Sequence, residues 1–171
     1  PDADALGDLA ERVQVDFDWT QNPPAVRLDG EVVAHLIRQE QVSSAASKVA
    51  VVARVRDAMV KLQQEVGRVR PNLVTEGRDQ GTVVFPGAKL KVYLDATAEE
   101  RARRRKLQLE AKGEQVDYEQ LLQQIRERDA RDSGRAVAPL KPAPGAVVID
   151  TTTLTQQQVT EKIVELARER Q

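Results

Sequence analysis

The sequence predicts an α/β fold with parallel strands, and a local pattern that occurs twice carries this prediction. A strand-like run at residues 90–94 is followed by an aspartate and by T-A-E-E at 97–100, a spacing of threonine and glutamate typical of a helix N-terminus. The same order recurs where the strand-like residues 147–149 precede an aspartate and T-Q-Q-Q at 155–158. Strands that alternate with capped helices are typical of a parallel sheet covered by helices.

The first half of the chain predicts a helix, a small antiparallel sheet and a longer helical region. Apolar residues at helical spacing predict a helix that begins at Asp4. The pattern changes to period two at residues 13–17 and again at 26–28, with turn residues between them, which predicts a hairpin or meander. Residues 41–66 carry an apolar stripe at helical spacing, with a bend expected near 51–53.

The second half predicts the parallel sheet itself and two charged helices. Residues 73–75 are strand-like and add a strand to those described above. Two helices rich in charge are expected at roughly 97–112 and 117–133, with a hinge at Lys112-Gly113. Prolines make residues 139–145 extended.

Composition excludes several functional classes. The chain of 171 residues has no cysteine, which excludes thiol chemistry, disulfides and zinc–cysteine sites. It has one histidine, so schemes that need two imidazoles are excluded, and His35 itself is interpreted as structural. No apolar run approaches the length of a membrane span, about 18 residues, and the first residues lack the pattern of a secretory signal. We expect a cytoplasmic protein with no membrane partner.

The charge pattern favours a small anion over nucleic acid. Aromatic residues make up only 3% of the chain, which argues against a base-stacking surface. Acids are interleaved with the cations, and the net charge is -1. Residues 101–106 are dense in cations, and steeply salt-dependent affinity for DNA would revive the nucleic-acid alternative.

One candidate site follows the first predicted strand of the second half. Ligands of open α/β sheets bind beyond the carboxyl ends of the strands, and residues 76–82 read E-G-R-D-Q-G-T. The glycines allow close approach of the backbone to a ligand, Arg78 offers a planar fork to a phosphate, and Asp79 can hold another arginine or accept from a base. The alternative is a tight turn with a surface ion pair.

A second candidate lies on the last charged helix. Arg128, Arg131, Asp132 and Arg135 recur at i, i+3, i+4 and i+7, hence on one helical face. On charge composition alone, a solvated ladder of ion pairs is the commoner explanation of such a face. The excess of arginine over lysine favours a phosphate, because guanidinium groups bind phosphate in a bidentate manner.

Four segments taken together resemble the successive signatures of bacterial cytidylate kinases. They read E-G-R-D-Q-G-T-V-V-F-P at 76–86, A-E-E-R-A-R-R-R at 98–105, R-E-R-D-A-R-D at 126–132 and R-A-V-A-P-L at 135–140. The similarity runs in order from about residue 30 to the C-terminus. It implies transfer of the terminal phosphoryl group of ATP to CMP or dCMP.

The resemblance also implies an architecture. It is a P-loop nucleoside-monophosphate-kinase-like parallel sheet core with a small antiparallel β insert and a helical lid, incomplete here because the first strand and the P-loop are absent. The implied division is a monophosphate-binding region with the three-stranded insert (1–70), core strands and the start of the lid helix (71–100), lid and arginine-rich helices (101–135), and the last core strand and helix (136–171).

The same resemblance assigns roles to individual residues. Ser47 and Arg56, with Asp79, are expected to recognise the cytosine edge, and Asp79 also steadies Arg56. Arg78 and Arg135 are expected to hold the CMP phosphate. Arg128 and Asp132 are expected to bind the ribose hydroxyls. The residues expected near the transferring phosphoryl group are all arginines: Arg104, Arg105, Arg131 and Arg135.

One departure from the family concerns the phosphate donor. A loop of the form G-x-x-x-x-G-K-[ST] should bind ATP and supply a Mg²⁺ ligand, yet no glycine of this sequence is followed by lysine. We therefore expect ATP and Mg²⁺ to bind mainly on the missing segment, no metal ligand among these residues, and no catalysis by this chain alone. The expected partner is CMP or dCMP, bound by a monomer. The alternative function is a non-catalytic CMP-binding module.

Overall fold

The chain divides into two compact units, residues 1–73 and 74–171. The computed structural model describes residues 2–37, 39–70, 72–134 and 141–170. Each unit has its own secondary structure and is described by itself. The four-part division expected from the resemblance stays a prediction.

The first unit contains three helices and a three-stranded antiparallel sheet. In chain order they are α1 (Ala3–Arg12), β1 (Val15–Asp18), β2 (Ala25–Leu28), β3 (Glu31–Val32), α2 (Glu40–Val49) and α3 (Ala53–Val69). The strand order is β1-β2-β3, with Val15 opposite Leu28 and Asp18 opposite Ala25. The predicted meander is confirmed.

Helix α1 begins one residue earlier than predicted, because Asp2 is the capping residue. Its carboxylate accepts hydrogen bonds from the backbone amides of Asp4 and Ala5, at 3.0 and 3.3 Å. Such a cap satisfies amides that have no partner within the helix. Asp4 therefore lies in the first turn, where its negative charge interacts favourably with the helix dipole.

The predicted bend in the long helical region is a full break. Helix α2 ends at Val49, and α3 begins after Val52, whose backbone is extended. The amide of Val52 bonds to the carbonyl of Val49 at 3.0 Å, which closes a turn between the helices.

Arg54 connects helices α1 and α3, which pack against each other. The guanidinium of Arg54, in the first turn of α3, lies against Gly7, where an added Cβ would be 2.8 Å from Arg54 Cζ. It donates to Asp8 at 2.8 Å and to Glu11 at 2.9 Å, and hydrogen bonds to these carboxylates raise the pKa of Arg54. We call Arg54, Asp4, Asp8 and Glu11 the acidic clasp. Oδ1 of Asp4 lies 3.9 Å from Nη1 of Arg54.

The second unit is an α/β unit with a two-stranded parallel sheet. It comprises a single π-helical turn (Gln80–Val84), β4 (Val92–Asp95), α4 (Ala98–Glu110), α5 (Tyr118–Ser133), β5 (Val147–Asp150) and α6 (Gln156–Arg168). Val92 lies opposite Val147 and Leu94 opposite Ile149. The α/β class with parallel strands is confirmed, and so are the two charged helices.

Residues 73–75 are not a strand, and this prediction was wrong. Val74 and Thr75 are β-branched and favour extended backbone, but a strand also needs a neighbour to which its amides and carbonyls can bond. Strands β4 and β5 pair with each other, and within the described ranges neither pairs with 73–75. Val74 is 95% exposed.

The two predicted helix N-termini differ in detail. Thr155 and Gln158 form a complete reciprocal capping box at α6. At α4 only half of the box forms, since Thr97 accepts from the amide of Glu100 at 3.2 Å. The carboxylate of Glu100 instead binds Arg103 and Arg104.

Among the described residues, none of the helices combines the length and the apolar character needed to cross a membrane.

Candidate functional site

Three arginines and two aspartates come together in the second unit. We call these residues the arginine cluster: Arg78, Arg101, Arg128, Asp129 and Asp132. Arg78 precedes the π-helical turn, Arg101 lies on α4, and the other three lie on α5.

Asp132 is the buried centre of the cluster. The residue is 2% exposed. An Nη of Arg78 contacts its Oδ2, and Nε of Arg128 lies 3.8 Å from the same oxygen. Burial of an ionised carboxylate is costly unless cations or donors compensate it, and two guanidinium groups do so here. Three residues that the sequence singled out as anion or sugar ligands therefore converge. The fourth, Arg135, lies outside the described residues.

Asp129 is bound by Arg101, the member of the cluster that lies on α4. Arg101 holds it with a bidentate pair, Nη1 to Oδ1 at 2.8 Å and Nη2 to Oδ2 at 2.5 Å. These hydrogen bonds lower the pKa of Asp129 below its ordinary value, and the charges of Arg78 and Arg128 act in the same direction. The Asp129 side chain is therefore ionised at neutral pH and lies within the field of all three arginines.

The π-helical turn positions Arg78 and Asp79. The carbonyl of Asp79 accepts from the amide of Val83 at 2.9 Å, and Val84 is buried at the end of the turn. An added Cβ at Gly77 would lie 2.8 Å from the Gln80 side chain. The glycine that we expected to admit a ligand thus admits a side chain of the turn itself.

The charge of the cluster favours an anion. Three guanidinium groups face two carboxylates, an excess of one positive charge. Asp132 is buried, whereas the side chains of Arg78 and Arg128 remain 35% and 56% exposed. One acid, Asp132, is covered, the other, Asp129, is 33% exposed, and the three arginines reach the surface, an arrangement suited to bidentate binding of a phosphate.

Comparison with known proteins decides the family. A cytidylate kinase family model matches residues 1–169. The cytidylate kinases of Escherichia coli strain K12 / DH10B, Escherichia coli O157:H7 and Shigella boydii serotype 18 are each 50% identical to the chain over 167 residues, which cover 98% of this chain and 73% of the relative. The chain belongs to the cytidylate kinase family.

Membership in the cytidylate kinase family implies a nucleoside monophosphate kinase, a transferase that uses ATP and Mg²⁺. Across the described ranges, no three His, Cys, Asp or Glu side chains come together as a metal site. We assign no Mg²⁺ ligand to these residues.

Two predicted base-recognition residues lie in the first unit of this cytidylate kinase family member. Ser47 is half-buried near the end of α2. Arg56 lies in the first turn of α3, and its Nη1 donates to the carbonyl of Ala50 at 3.4 Å. Asp79, the third, lies in the second unit.

The arginines expected near the phosphoryl group have different surroundings. Arg104 donates to Glu100 at 2.7 Å and to Oγ1 of Thr151 at 3.1 Å, and it also contacts the carbonyl of Thr151. Arg105 is exposed on α4. Arg131 lies in α5, on the helix that carries the cluster.

Sequence reasoning missed the pairing of Arg101 with Asp129. The two residues are 28 positions apart, so no local spacing connects them. It also missed the acidic clasp, which joins α1 to α3 across more than 40 positions. The pairs of Glu100 with Arg103 and Arg104 were readable, because they stand at i, i+3 and i, i+4.

Proposed function

We propose that this chain binds CMP and dCMP and contributes to their phosphorylation by ATP, giving CDP or dCDP and ADP. Family membership supports the reaction class. The observation that carries the assignment to these residues is the convergence of Arg78 and Arg128 on the buried carboxylate of Asp132. We further propose a monomer that works in the cytoplasm.

In this proposal three residues of the cluster, together with Arg135, bind the phosphate and sugar of the monophosphate. Arg78 and Arg135 hold the phosphate, and Arg128 with Asp132 binds the ribose hydroxyls. The mixed charges on one face of α5 support this division, because phosphate needs donors and hydroxyls can also donate to a carboxylate. Since Asp132 is covered, a hydroxyl reaches it only after a guanidinium moves aside.

Base recognition falls to Ser47, Arg56 and Asp79. A serine hydroxyl both donates and accepts, an arginine donates, and an aspartate accepts from the exocyclic amino group that distinguishes cytosine from uracil. The partial burial of Ser47 and Asp79 supports the role, since hydrogen bonds discriminate best where water is excluded.

Phosphoryl transfer itself relies on charge neutralisation. The bond from the γ-phosphorus to the bridging oxygen of ADP breaks, and a bond to a CMP phosphate oxygen forms. Closure of the lid, residues 101–135, brings Arg104, Arg105, Arg131 and Arg135 around the phosphates and expels water. Arg104 must exchange its contacts with Thr151 and Leu154 to take part.

The 171 residues contain no G-x-x-x-x-G-K-[ST] loop, so we propose that this polypeptide alone does not catalyse phosphoryl transfer from ATP. The second candidate is a module that binds CMP without catalysis. Coupled release of ADP separates them. The chain joined to an N-terminal segment with such a loop is expected to turn over CMP and dCMP faster than UMP. Equal rates for all three, or none, would refute the kinase assignment.

Calorimetric titration of the 171-residue chain tests the binding site directly. CMP is expected to bind, and UMP to bind more weakly. Ser47→Ala is expected to narrow the difference between CMP and UMP by about fivefold, the value of one hydrogen bond, and to leave the fold intact. No CMP binding by the parent chain would contradict the proposal, and an unchanged CMP to UMP ratio would remove Ser47 from it.

A further inference from the structure

We propose that Arg101 and Asp129 are a positioning pair, which holds α5 so that Arg128 and Asp132 meet the sugar of the bound monophosphate. This inference rests on the proposed function. Neither residue has a part in the ligand contacts proposed above, and both act through their neighbours on α5.

Arg101 and Asp129 form a bidentate ion pair, which we call the joint. Two parallel hydrogen bonds of 2.8 and 2.5 Å join the guanidinium plane to the carboxylate, and such a fork defines orientation as well as distance. Nε of Arg101 donates to the carbonyl of Ala96 at 3.1 Å. Ala96 is buried directly after β4, so the joint connects α5 to the end of a sheet strand.

The position of Asp129 on α5 explains what the joint sets. Asp129 follows Arg128 and precedes Asp132 by three residues, so Asp129 and Asp132 are neighbours on the helix surface. Arg101 holds one of them and Arg78 contacts the other. Two contacts from different segments, about one helical turn apart, determine the rotation of α5 about its own axis and thereby the direction of Arg128.

A second ion pair between the same helices is a matched control. Arg126 on α5 approaches Glu99 on α4 through one contact of 2.6 Å, and both side chains are exposed. An exposed pair with a single contact restrains little. Arg126→Lys therefore tests mere attachment of α5 to α4, whereas Arg101→Lys keeps the charge and removes the bidentate geometry.

The experiment is calorimetric titration of the 171-residue chain with CMP and with 2′,3′-dideoxy-CMP, which lacks the sugar hydroxyls. The parent is expected to bind CMP roughly tenfold or more tightly than the dideoxy analogue, because hydroxyl contacts to charged groups are lost in the analogue. In Arg101→Lys, CMP affinity is expected to fall about tenfold while the affinity for the analogue changes less than twofold, a coupling typical of residues in one network. Asp129→Asn should do the same, and the double variant should be no worse than either single one. Arg126→Lys should match the parent.

The outcomes separate the two claims. A purely structural pair would lower both affinities by the same factor, and that result would overturn the positioning role. So would an unchanged preference for CMP in both Arg101→Lys and Asp129→Asn, with far-UV circular dichroism showing intact helices. If one variant does not fold, the other decides. A parent chain that binds CMP but not more tightly than the analogue overturns this inference alone, and a parent that binds neither overturns the proposed function with it.

Discussion

The acidic clasp of the first unit and the arginine cluster of the second are both built from ion pairs between arginine and carboxylate side chains. They differ in charge balance and in the burial of the acids. In the clasp one guanidinium is shared by carboxylates that are at least half exposed, so negative charge is in excess at the surface. In the cluster the acids are fewer than the arginines, and Asp132 is buried. A surplus of exposed acid would repel phosphate, whereas a surplus of exposed arginine would attract it. The ratio of charges and the burial of the acid, rather than the presence of arginine, distinguish the intramolecular ion pairs of the clasp from the proposed anion site.

The largest expected effect comes from removing the buried acid. Asp132→Ala takes away the acceptor that Arg78 and Arg128 both approach, and breaking a buried pair is costly, less so where the cations are partly solvated. We expect the free energy of unfolding to fall by about 2 kcal/mol and CMP affinity to fall by about 30-fold.

Urea denaturation and calorimetry measure these two changes. Asp117→Ala is the matched control, because Asp117 caps the start of α5 and accepts from Gln120 at 3.0 Å. It should cost about 1 kcal/mol of stability and leave CMP affinity unchanged. An Asp132→Ala chain that binds CMP normally would mean that the cluster is only another clasp.

An intermediate effect is expected in the clasp. Gly7→Ala adds a Cβ 2.8 Å from Arg54 Cζ, and Arg54 cannot yield without leaving Asp8 and Glu11. The crowding should outweigh the gain in helix propensity and lower the free energy of unfolding by about 1 kcal/mol. Gly87→Ala, where an added Cβ meets nothing within 4 Å, is the control. Thermal unfolding compares them, and a more stable Gly7→Ala chain would show that the clasp is loose. CMP affinity should not change in either.

The smallest effect is a pH dependence. Hydrogen bonds from Arg103, and from Arg104, lower the pKa of Glu100 to about 2, below an ordinary value of 4.5. Because the pKa is lower in the folded state, the stabilisation is complete above about pH 4.5 and is lost as the pH falls toward 2. Glu100→Gln should therefore narrow the difference in stability between pH 5 and pH 3, measured by urea denaturation. An unchanged difference would mean that these ion pairs do not persist in solution.

How much of this was predictable depends on the range over which each interaction acts. Strand β5 lies where its apolar run predicted, with Ile149 buried and Val148 exposed. The alignment of Arg128 with Asp132 follows from helical spacing alone. Residues 73–75 were misread, since pairing requires a neighbour that local pattern does not reveal. The joint of Arg101 with Asp129 depends on how α4 packs against α5, and the resemblance to cytidylate kinases indicated the segments without indicating this contact.

We expect the arginine cluster, and not the acidic clasp, to bind the nucleotide. Titration of CMP into Arg78→Ala and Arg54→Ala tests it most directly, because each variant removes one guanidinium from one group. We expect a loss of CMP affinity of about 30-fold for Arg78→Ala, equivalent to about 2 kcal/mol, and less than twofold for Arg54→Ala. Equal losses in the two variants, or a larger loss in Arg54→Ala, would contradict it.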